Sequence, residues 1–274
     1  MANEMRLGLV AGGGKLPIYV AHAAGARLVT TIALDGFAKA SDYSAAQVLS
    51  LGQFGHMVKA LKKAKATHVC FAGIVKRPDF SQVKPDLKGM RHLPGAIRAA
   101  GQGDDALLRH ILGLFEKEGL IVVSPQEICE DLLLGEGALG TIGLSKVFRD
   151  DALKACEIAR EIGRLDIGQG AVVSQGVVLA VEAQEGTDAM LKRIADLPPA
   201  IRPKDQGVLA KLIKPSQDDR VDLPTLGPET VRLAAEAGLA GIVAEEGRAF
   251  VIDRRDVIRL ADELGIFIVG IPKA

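Results

Sequence analysis

Short apolar runs alternate with amphipathic stretches along the first half of the chain. The runs predict strands at residues 7–11, 28–34, 47–51, 68–72 and 120–123. The clearest helical pattern spans residues 104–117, where apolar side chains recur every three or four positions. Strands that alternate with helices pair in parallel through right-handed crossovers. We therefore predict an α/β fold whose N-terminal domain, residues 1–135, is Rossmann-like with a parallel sheet.

The second half shows the same alternation and also contains a hairpin pattern. Apolar runs at residues 171–173 and 177–182 flank Ser174, Gln175 and Gly176, which is typical of antiparallel pairing. Helices are predicted at residues 150–165, 187–195, 229–237 and 256–264, and further strands at residues 208–213, 241–244, 249–252 and 267–271. Glycines at positions 135, 137, 140 and 143 indicate a linker. We predict a mixed α/β C-terminal domain at residues 145–274.

Composition narrows the class of protein. Of the 274 residues, 48% are hydrophobic and only 4% are aromatic, so aliphatic side chains must form the core. The 34 basic residues balance the 34 acidic ones, which gives no general field to attract nucleic acid. Cys70, Cys129 and Cys156 are far apart and form no CxxC pair, as expected for reduced thiols without structural zinc.

The sequence predicts a cytoplasmic protein. No apolar run approaches the roughly 20 residues that span a bilayer. The first residues lack the basic and apolar regions of a secretory signal. Contact with a membrane is therefore expected to be peripheral and transient.

A turn of three glycines, Gly12, Gly13 and Gly14, ends the first predicted strand. Glycines let a backbone approach a ligand closely, and the following helix start presents free N–H groups to an anion. The turn is not a GxGxxG motif, because residue 17 is proline, and no GK[ST] follows as in a P-loop. A phosphate or sugar-nucleotide contact and a plain tight turn are both open.

The densest group of polar residues lies between the strand at residues 208–213 and the helix at residues 229–237. It contains Lys211, Lys214, Gln217, Asp218, Asp219, Arg220, Asp222 and Thr225. Cationic side chains can neutralise phosphates, and carboxylates can bind Mg²⁺ or Mn²⁺. A site that cleaves a pyrophosphate needs both kinds of group, so we favour a functional loop over a solvated surface loop.

Five further polar residues lie at predicted strand ends or helix starts. Gln169 is in a glycine-containing turn, and Lys76 follows a strand, where α/β proteins bind ligands. Thr187, Asp188 and Asp104 begin helices and are alternatively N-caps. The five histidines form no HxH or HExxH group, so we assign none of them to metal binding or catalysis.

Six motifs occur in order over nearly the whole chain: AGGGKLP, FAGIVKRP, GDDALLR, LDIGQG, VEAQEGTDAM and KPSQDDRVDLPTLGPET. Together they resemble the LpxI family of UDP-2,3-diacylglucosamine pyrophosphatases, and QDDRVDLPT and EGTDAM are the specific segments. One departure lies in the strand before the polar loop. The family pattern predicts a lysine at an earlier position of that strand, and Lys211 is the candidate to replace that lysine.

The resemblance implies a dimer of two-domain subunits that binds UDP-2,3-diacylglucosamine between its domains and depends on Mg²⁺ or Mn²⁺. Water would attack the phosphorus on the glucosamine side and release UMP and 2,3-diacylglucosamine 1-phosphate (lipid X). On this basis we expect Asp222, Asp219, Lys214 and Arg220 to be catalytic, with the two aspartates as metal ligands. The substrate-binding candidates are Gly12, Gly13, Gly14, Lys76, Asp104, Gln169, Thr187, Asp188, Lys211, Gln217 and Thr225.

Two other functions stay open at this point. A sugar-nucleotide or lipid-binding module without catalysis would use the same polar segments. A nucleotide-dependent oxidoreductase is suggested by the first strand and helix, but the chain lacks both GxGxxG and a Tyr-xxx-Lys pattern. A calcineurin-like phosphoesterase is excluded, because that class needs a GNH segment in a two-metal site.

Overall fold

The computed structural model describes residues 5–76, 78–214 and 223–273. They form two compact units, of which the first extends to Glu130 and the second begins at Asp131. Each unit has its own sheet, helices and hydrophobic core. The predicted fold class, with a parallel sheet in the first domain and a mixed sheet in the second, is confirmed.

A five-stranded parallel sheet forms the centre of the first unit. Its strands are β1 (Leu7–Ala11), β2 (Leu28–Leu34), β3 (Ala46–Leu49), β4 (His68–Ala72) and β5 (Ile121–Val123). Its helices are α1 (Leu16–Ala24), α2 (Phe54–Lys63), α3 (Leu87–Ala100) and α4 (Asp104–Lys117). The strand order β3-β2-β1-β4-β5 reverses beside β1, as in Rossmann-like sheets.

Aromatic contacts join the sheet of the first unit to its helices. Phe115 of α4 is 1% exposed and makes edge-to-face contacts with Phe54 of α2 and Phe71 of β4, at ring-centroid distances of 5.1 and 5.0 Å. In α2 the buried residues recur every three or four positions, which is the spacing of one helical face. Three of the ten aromatic residues of the chain thus meet where α2, α4 and the sheet pack together.

Helix α3 was not predicted from the sequence, because Gly89, Pro94 and Gly95 interrupt its pattern. The side chain of Asp86 compensates at its start. One carboxylate oxygen accepts the backbone N–H of Gly89 at 2.7 Å, and the other accepts that of His56, in the first turn of α2, at 2.8 Å. A single carboxylate therefore caps two helices.

The second unit contains eight strands and four helices among the described residues. The strands are β6 (Gly137–Ala138), β7 (Gly170–Ser174), β8 (Val177–Val181), β9 (Val208–Lys211), β10 (Thr225–Leu226), β11 (Gly241–Glu245), β12 (Phe250–Val251) and β13 (Phe267–Ile271). The helices are α5 (Arg149–Arg164), α6 (Thr187–Ala195), α7 (Pro228–Glu236) and α8 (Arg254–Leu264). Six strands form a mixed sheet in the order β6-β13-β11-β9-β7-β8, and β10 pairs separately with β12.

Both faces of the mixed sheet are covered. Val172, Leu209 and Ile242 share one hydrophobic cluster with residues of α6, α7 and α8, whereas Ala171 and Ala210 belong to a second cluster with α5. Neighbouring residues on a strand point to opposite faces, so adjacent positions enter different cores. This arrangement explains the uninterrupted apolar runs of the second half.

The hairpin predicted between β7 and β8 is confirmed. Its turn residues Gln175 and Gly176 both have positive φ, of 51° and 76°. Both of their backbone N–H groups donate to the carboxylate of Asp151 in α5, at 2.8 and 2.7 Å. The turn is therefore fixed by the helix that covers the hairpin.

Two short pairings differ from the sequence-based expectation. The glycine-rich segment predicted as a linker contains β6, which pairs antiparallel with β13 at the edge of the mixed sheet. The apolar run after Gly247 was expected to follow β11 as a strand. It forms β12, which pairs in parallel with β10 and not with β11. The strand at residues 249–252 was predicted and β6 was not, and two-residue strands have too little pattern for their partners to be identified from sequence.

No helix in the described part of the chain is long and apolar enough to cross a membrane. The three cysteines are free and buried. Burial raises the pKa of Cys156 to about 11, although Arg160 opposes the shift. A thiol in that environment stays protonated and unreactive near neutral pH.

Removal of the double cap should destabilise the first unit. Asp86→Ala is expected to lower the free energy of unfolding by about 1–3 kcal/mol, because one helix cap contributes about 0.5–2 kcal/mol. Asp86→Asn is the matched control, since it keeps one oxygen acceptor and should lose less. Urea unfolding monitored by circular dichroism measures both.

The effect of Asp86 should also depend on pH. Burial raises the pKa of Asp86, but hydrogen bonds from the backbone of Gly89, His56 and Gly55 outweigh it, and the pKa is lowered. The ionised carboxylate therefore contributes stability above the ordinary pKa of aspartate, and this contribution is lost as the pH falls through the folded-state value. The difference between wild type and Asp86→Ala should shrink below about pH 4. A difference that stays constant down to about pH 2 would contradict the capping role.

Candidate functional site

Polar side chains gather where β8 and β9 end and β7 begins. Gly170, the first residue of β7, pairs with Lys211 at the end of β9. Its carbonyl accepts the backbone N–H of Glu182, the residue after β8, at 2.8 Å. The carbonyl of Gln169 accepts the N–H of Leu212 at 2.9 Å. These pairings place three chain segments side by side at one edge of the sheet.

We call the polar residues at this edge the strand-end cluster. It consists of Asp166, Gln169, Glu182, Thr187, Lys211 and Lys214. All six lie in the second unit, and four of them were predicted as site residues from the sequence. The sequence analysis did not select Glu182, and it left Asp166, in the same turn as Gln169, open between a polar ligand and a plain turn.

Glu182 is the buried carboxylate of the cluster, with 5% of its surface exposed. Burial raises its pKa, while the positive charge of Lys211 and a hydrogen bond from Thr187 oppose the shift. The hydroxyl of Thr187 donates to Oε2 of Glu182 at 2.9 Å. A usable signal was present, since Glu182 is an acidic residue directly after an apolar strand and before a turn that contains glycine.

Two glycines of the LDIGQG motif make room for Glu182. A Cβ atom at Gly170 would lie 2.5 Å from Oε2 of Glu182, and one at Gly168 would lie 2.1 Å from its backbone oxygen. Real Cβ atoms do not approach other atoms so closely, so a side chain at residue 170 would displace the carboxylate, and one at residue 168 would displace the backbone of Glu182. The glycines that sequence analysis read as a turn are thus required by packing against Glu182.

Lys211 and Lys214 are the cations of the cluster. Lys211 is 8% exposed, and its Nζ donates to the backbone oxygen of Thr225 in β10 at 2.9 Å. Nζ of Lys214 lies 2.7 Å from Oδ1 of Asp166, which follows α5. Asp166 has a φ of 56°, a left-handed conformation that aspartate tolerates better than most residues. The two lysines therefore have defined positions at the edge of the sheet.

Gln169 supplies an uncompensated polar atom. Its Oε1 is buried and has no hydrogen-bond partner within the described ranges. Buried polar atoms are almost always hydrogen-bonded, and exceptions often mark ligand or water sites. The predicted binding role of Gln169 is consistent with this observation.

The proposed N-cap roles of Thr187, Asp188 and Asp104 are wrong. The N-cap of α6 is Gly186, with a φ of 79°, and that of α4 is Gly103, with a φ of 119°. Thr187 is the first residue inside its helix, and its hydroxyl is directed to Glu182 instead. Asp188 follows it and is exposed, whereas Asp104 is the first residue of α4.

The remaining described candidates lie in the first unit, after β1 and β4. The N–H groups of Gly12 and Gly13 donate to the carbonyls of Ala72 and Ile74, both at 2.8 Å. The turn therefore connects the end of β1 to the end of β4 by backbone hydrogen bonds. A Cβ at Gly12 would meet the backbone oxygen of Ile74 at 2.8 Å, whereas one at Gly14 has open space. Gly14 and Lys76 are exposed, and the ligand contacts expected of these four residues stay predictions.

The predicted metal ligands Asp219 and Asp222 lie outside the described residues, as do Arg220 and Gln217. Within the ranges that are described, no group of three or more His, Cys, Asp or Glu side chains could hold a metal ion. The segment that carries those four residues leaves the described structure after Lys214 and returns at Leu223. Lys214, the last described residue before it, belongs to the strand-end cluster. Thr225, shortly after it, accepts a hydrogen bond from Lys211 of the same cluster.

The two units match two family models. The LpxI N-terminal domain matches residues 6–132, and the LpxI C-terminal domain matches residues 135–269. The chain is also similar to UDP-2,3-diacylglucosamine pyrophosphatase LpxI of Caulobacter vibrioides. The two sequences are 53% identical over 274 residues, which is 97% of each chain.

Loss of the hydroxyl that supports Glu182 should weaken the second unit. Thr187→Val keeps the shape of the side chain but leaves a buried carboxylate oxygen without its donor, which costs about 1–3 kcal/mol. Thr187→Ser retains the hydroxyl and should lose much less. Urea unfolding of the two variants measures the difference, and equal stabilities would show that the hydrogen bond contributes nothing.

Proposed function

Because the chain belongs to the LpxI family, we propose that it hydrolyses UDP-2,3-diacylglucosamine to UMP and 2,3-diacylglucosamine 1-phosphate (lipid X), a step of lipid A biosynthesis. The observation that carries the proposal is the 53% identity with the Caulobacter pyrophosphatase, which extends over both domains. The strand-end cluster supplies chemistry that suits this reaction.

Cleavage of a pyrophosphate concentrates negative charge on both phosphoryl groups. Cations that are already fixed in position stabilise such a transition state without the cost of reorganising solvent. Lys211 is buried, and Lys214 is held by Asp166, so both meet this requirement. The first turn of α6 begins at Thr187 beside them, and its backbone N–H groups favour an anion.

We propose Glu182 as a positioning residue of this site. Its carboxylate accepts the hydroxyl of Thr187 and compensates the charge of Lys211. The hydroxyl oxygen of Thr187 keeps its lone pairs, and the orientation of the side chain is fixed. An incoming phosphate would then compete with Glu182 for Lys211.

We further propose that Mg²⁺ or Mn²⁺ is required, with Asp222 and Asp219 as its ligands. Hard cations prefer oxygen donors. The free Oε1 of Gln169 and the carboxylate of Glu182 are donors of this kind among the described residues. A bound divalent cation would supply charge neutralisation and a more acidic water.

The proposed partners follow from the same assignment. We propose that the chain functions as a homodimer in the cytoplasm and contacts the inner membrane transiently to reach its lipid substrate. We propose no nucleic-acid partner, because a net charge of zero gives no general attraction to nucleic acid.

The test of the activity is release of UMP from UDP-2,3-diacylglucosamine by the purified chain in mixed detergent micelles. Mg²⁺ or Mn²⁺ should support turnover, and a chelator such as EDTA should abolish it. Restoration by either cation after chelation would separate metal removal from denaturation. Substrate binding without UMP release would instead indicate a non-catalytic binding module, and full turnover in EDTA would overturn the metal requirement.

Asp222→Ala should lower turnover by about 10²–10³-fold, which is the typical effect of removing one group that stabilises a transition state. The variant should remain folded and still bind substrate, because the phosphate contacts of the two lysines persist. Asp196→Ala, at an exposed position after α6, is the matched control and should be fully active. Near-normal UMP release by folded Asp222→Ala would refute the assignment and make Asp219 the next candidate.

A further inference from the structure

Helix α3 exposes an apolar stripe that no described element covers. The stripe consists of Leu87, Met90, Pro94 and Ile97, which recur at intervals of three or four residues along one side of the helix. Leu87 is 84% exposed, Met90 51% and Ile97 48%. Large apolar side chains in contact with water are costly when they form a continuous patch, and such patches mark interaction surfaces.

Cationic residues flank this stripe on the same helix. Lys88, Arg91 and Arg98 are exposed, and α3 contains no acidic residue along its 14 positions. The buried residues Gly89 and Ala96 lie on the opposite side of the helix and face its neighbours. We call the apolar stripe together with these three cations the α3 face.

Helix α2 extends the positive charge beside the α3 face. A groove of about 1010 Å³ between the two helices is lined by Lys59, Lys62 and Lys63, together with Lys88 and Leu87. Two acidic residues lie nearby, Glu118 and Asp86.

Those two carboxylates do not neutralise the surface that α2 and α3 form, so its net charge is positive. Glu118 is shared by Lys62 and Lys88, each at 2.7 Å, and Asp86 accepts backbone N–H groups and contacts His56. Lys59, Lys63, Arg91 and Arg98 thus add to a surface where two lysines already share one carboxylate.

We propose that the α3 face docks on an anionic phospholipid surface. Apolar side chains on one side of a helix enter the boundary between headgroups and acyl chains, and adjacent lysines and arginines attract acidic lipids. A second copy of this chain fits less well, because a two-fold symmetric contact would bring cationic helices against each other. The docking itself does not depend on the proposed function. Only its biological role, to bring the enzyme to a lipid substrate, rests on that function.

The geometry also suits reversible binding. A single helix with one apolar stripe buries little area, so attachment depends on charge and weakens with salt. Each lysine or arginine near an anionic membrane contributes about fivefold in affinity. A surface of this kind allows the enzyme to leave the membrane with its product.

The experiment measures co-sedimentation of the full chain with vesicles in the absence of substrate. Vesicles of phosphatidylethanolamine with phosphatidylglycerol should bind the protein in low salt, and vesicles of phosphatidylcholine alone should not. Leu87→Ser combined with Met90→Ser, and separately Arg91→Glu combined with Arg98→Glu, should each weaken binding at least about tenfold. The single variant Leu87→Ser should act in the same direction and remain folded, because the side chain of Leu87 is 84% exposed.

Matched controls come from the second unit. Leu153→Ser removes a leucine that is 64% exposed, and Lys192→Glu reverses an exposed charge on α6. Both should bind vesicles like the wild type. All α3 variants should retain UMP release within about twofold in detergent micelles, where no bilayer is needed, and lose it with substrate in vesicles.

The outcomes separate the two proposals. Wild-type protein that ignores anionic vesicles, or α3 variants that bind them normally, would overturn the docking surface. Conversion of a wild-type dimer to monomers by the α3 variants, seen in sedimentation velocity, would also overturn it and assign the face to a second copy. Absence of UMP release by wild type in micelles would refute the proposed function and leave the vesicle result standing.

Discussion

The arrangement of the candidate site depends on one constraint, the burial of a carboxylate beside a lysine at the edge of a sheet. A charged group taken out of water is costly unless its partners are fixed close to it. Glu182 has such partners in Lys211 and Thr187, and it has space only because residues 168 and 170 are glycine. The position of α6, the end of β9 and the LDIGQG turn are therefore linked through one side chain.

The strand ends that carry the candidate residues are supported differently in the two sheets. In the first unit, the ends of β1 and β4 are joined because the backbone N–H groups of Gly12 and Gly13 donate to neighbouring carbonyls. In the second unit, the corresponding edge is built from side chains, with cations and carboxylates in mutual contact. The first edge is thus held by hydrogen bonds between backbone groups, whereas the second carries charged side chains that can interact with an anion.

Much of the fold could be predicted from the sequence because its elements are long and periodic. Residues 104–117, 187–195 and 267–271 were predicted with the bounds that the structure has. Helix α3 could not be predicted, since its glycines and Pro94 oppose helix formation and the compensating cap comes from contacts of Asp86. The specific EGTDAM motif pointed to Thr187, which the structure places against Glu182, and the functional roles of the candidates stay predictions. Glu182 was missed because its importance arises from burial, which only the packing of three segments reveals.

The double cap by Asp86 has a consequence for the proposed docking of the α3 face on an anionic lipid surface. An anionic membrane with a surface potential near −30 mV concentrates protons, so its surface is more acidic than the surrounding solution by about half a pH unit. Hydrogen bonds from three backbone N–H groups hold the pKa of Asp86 below its ordinary value despite its burial. Near neutral pH an acidification of that size leaves the surface far above the pKa of Asp86, so its carboxylate stays ionised there. The hydrogen bonds that fix the starts of α2 and α3 are therefore expected to persist when the α3 face contacts anionic lipid.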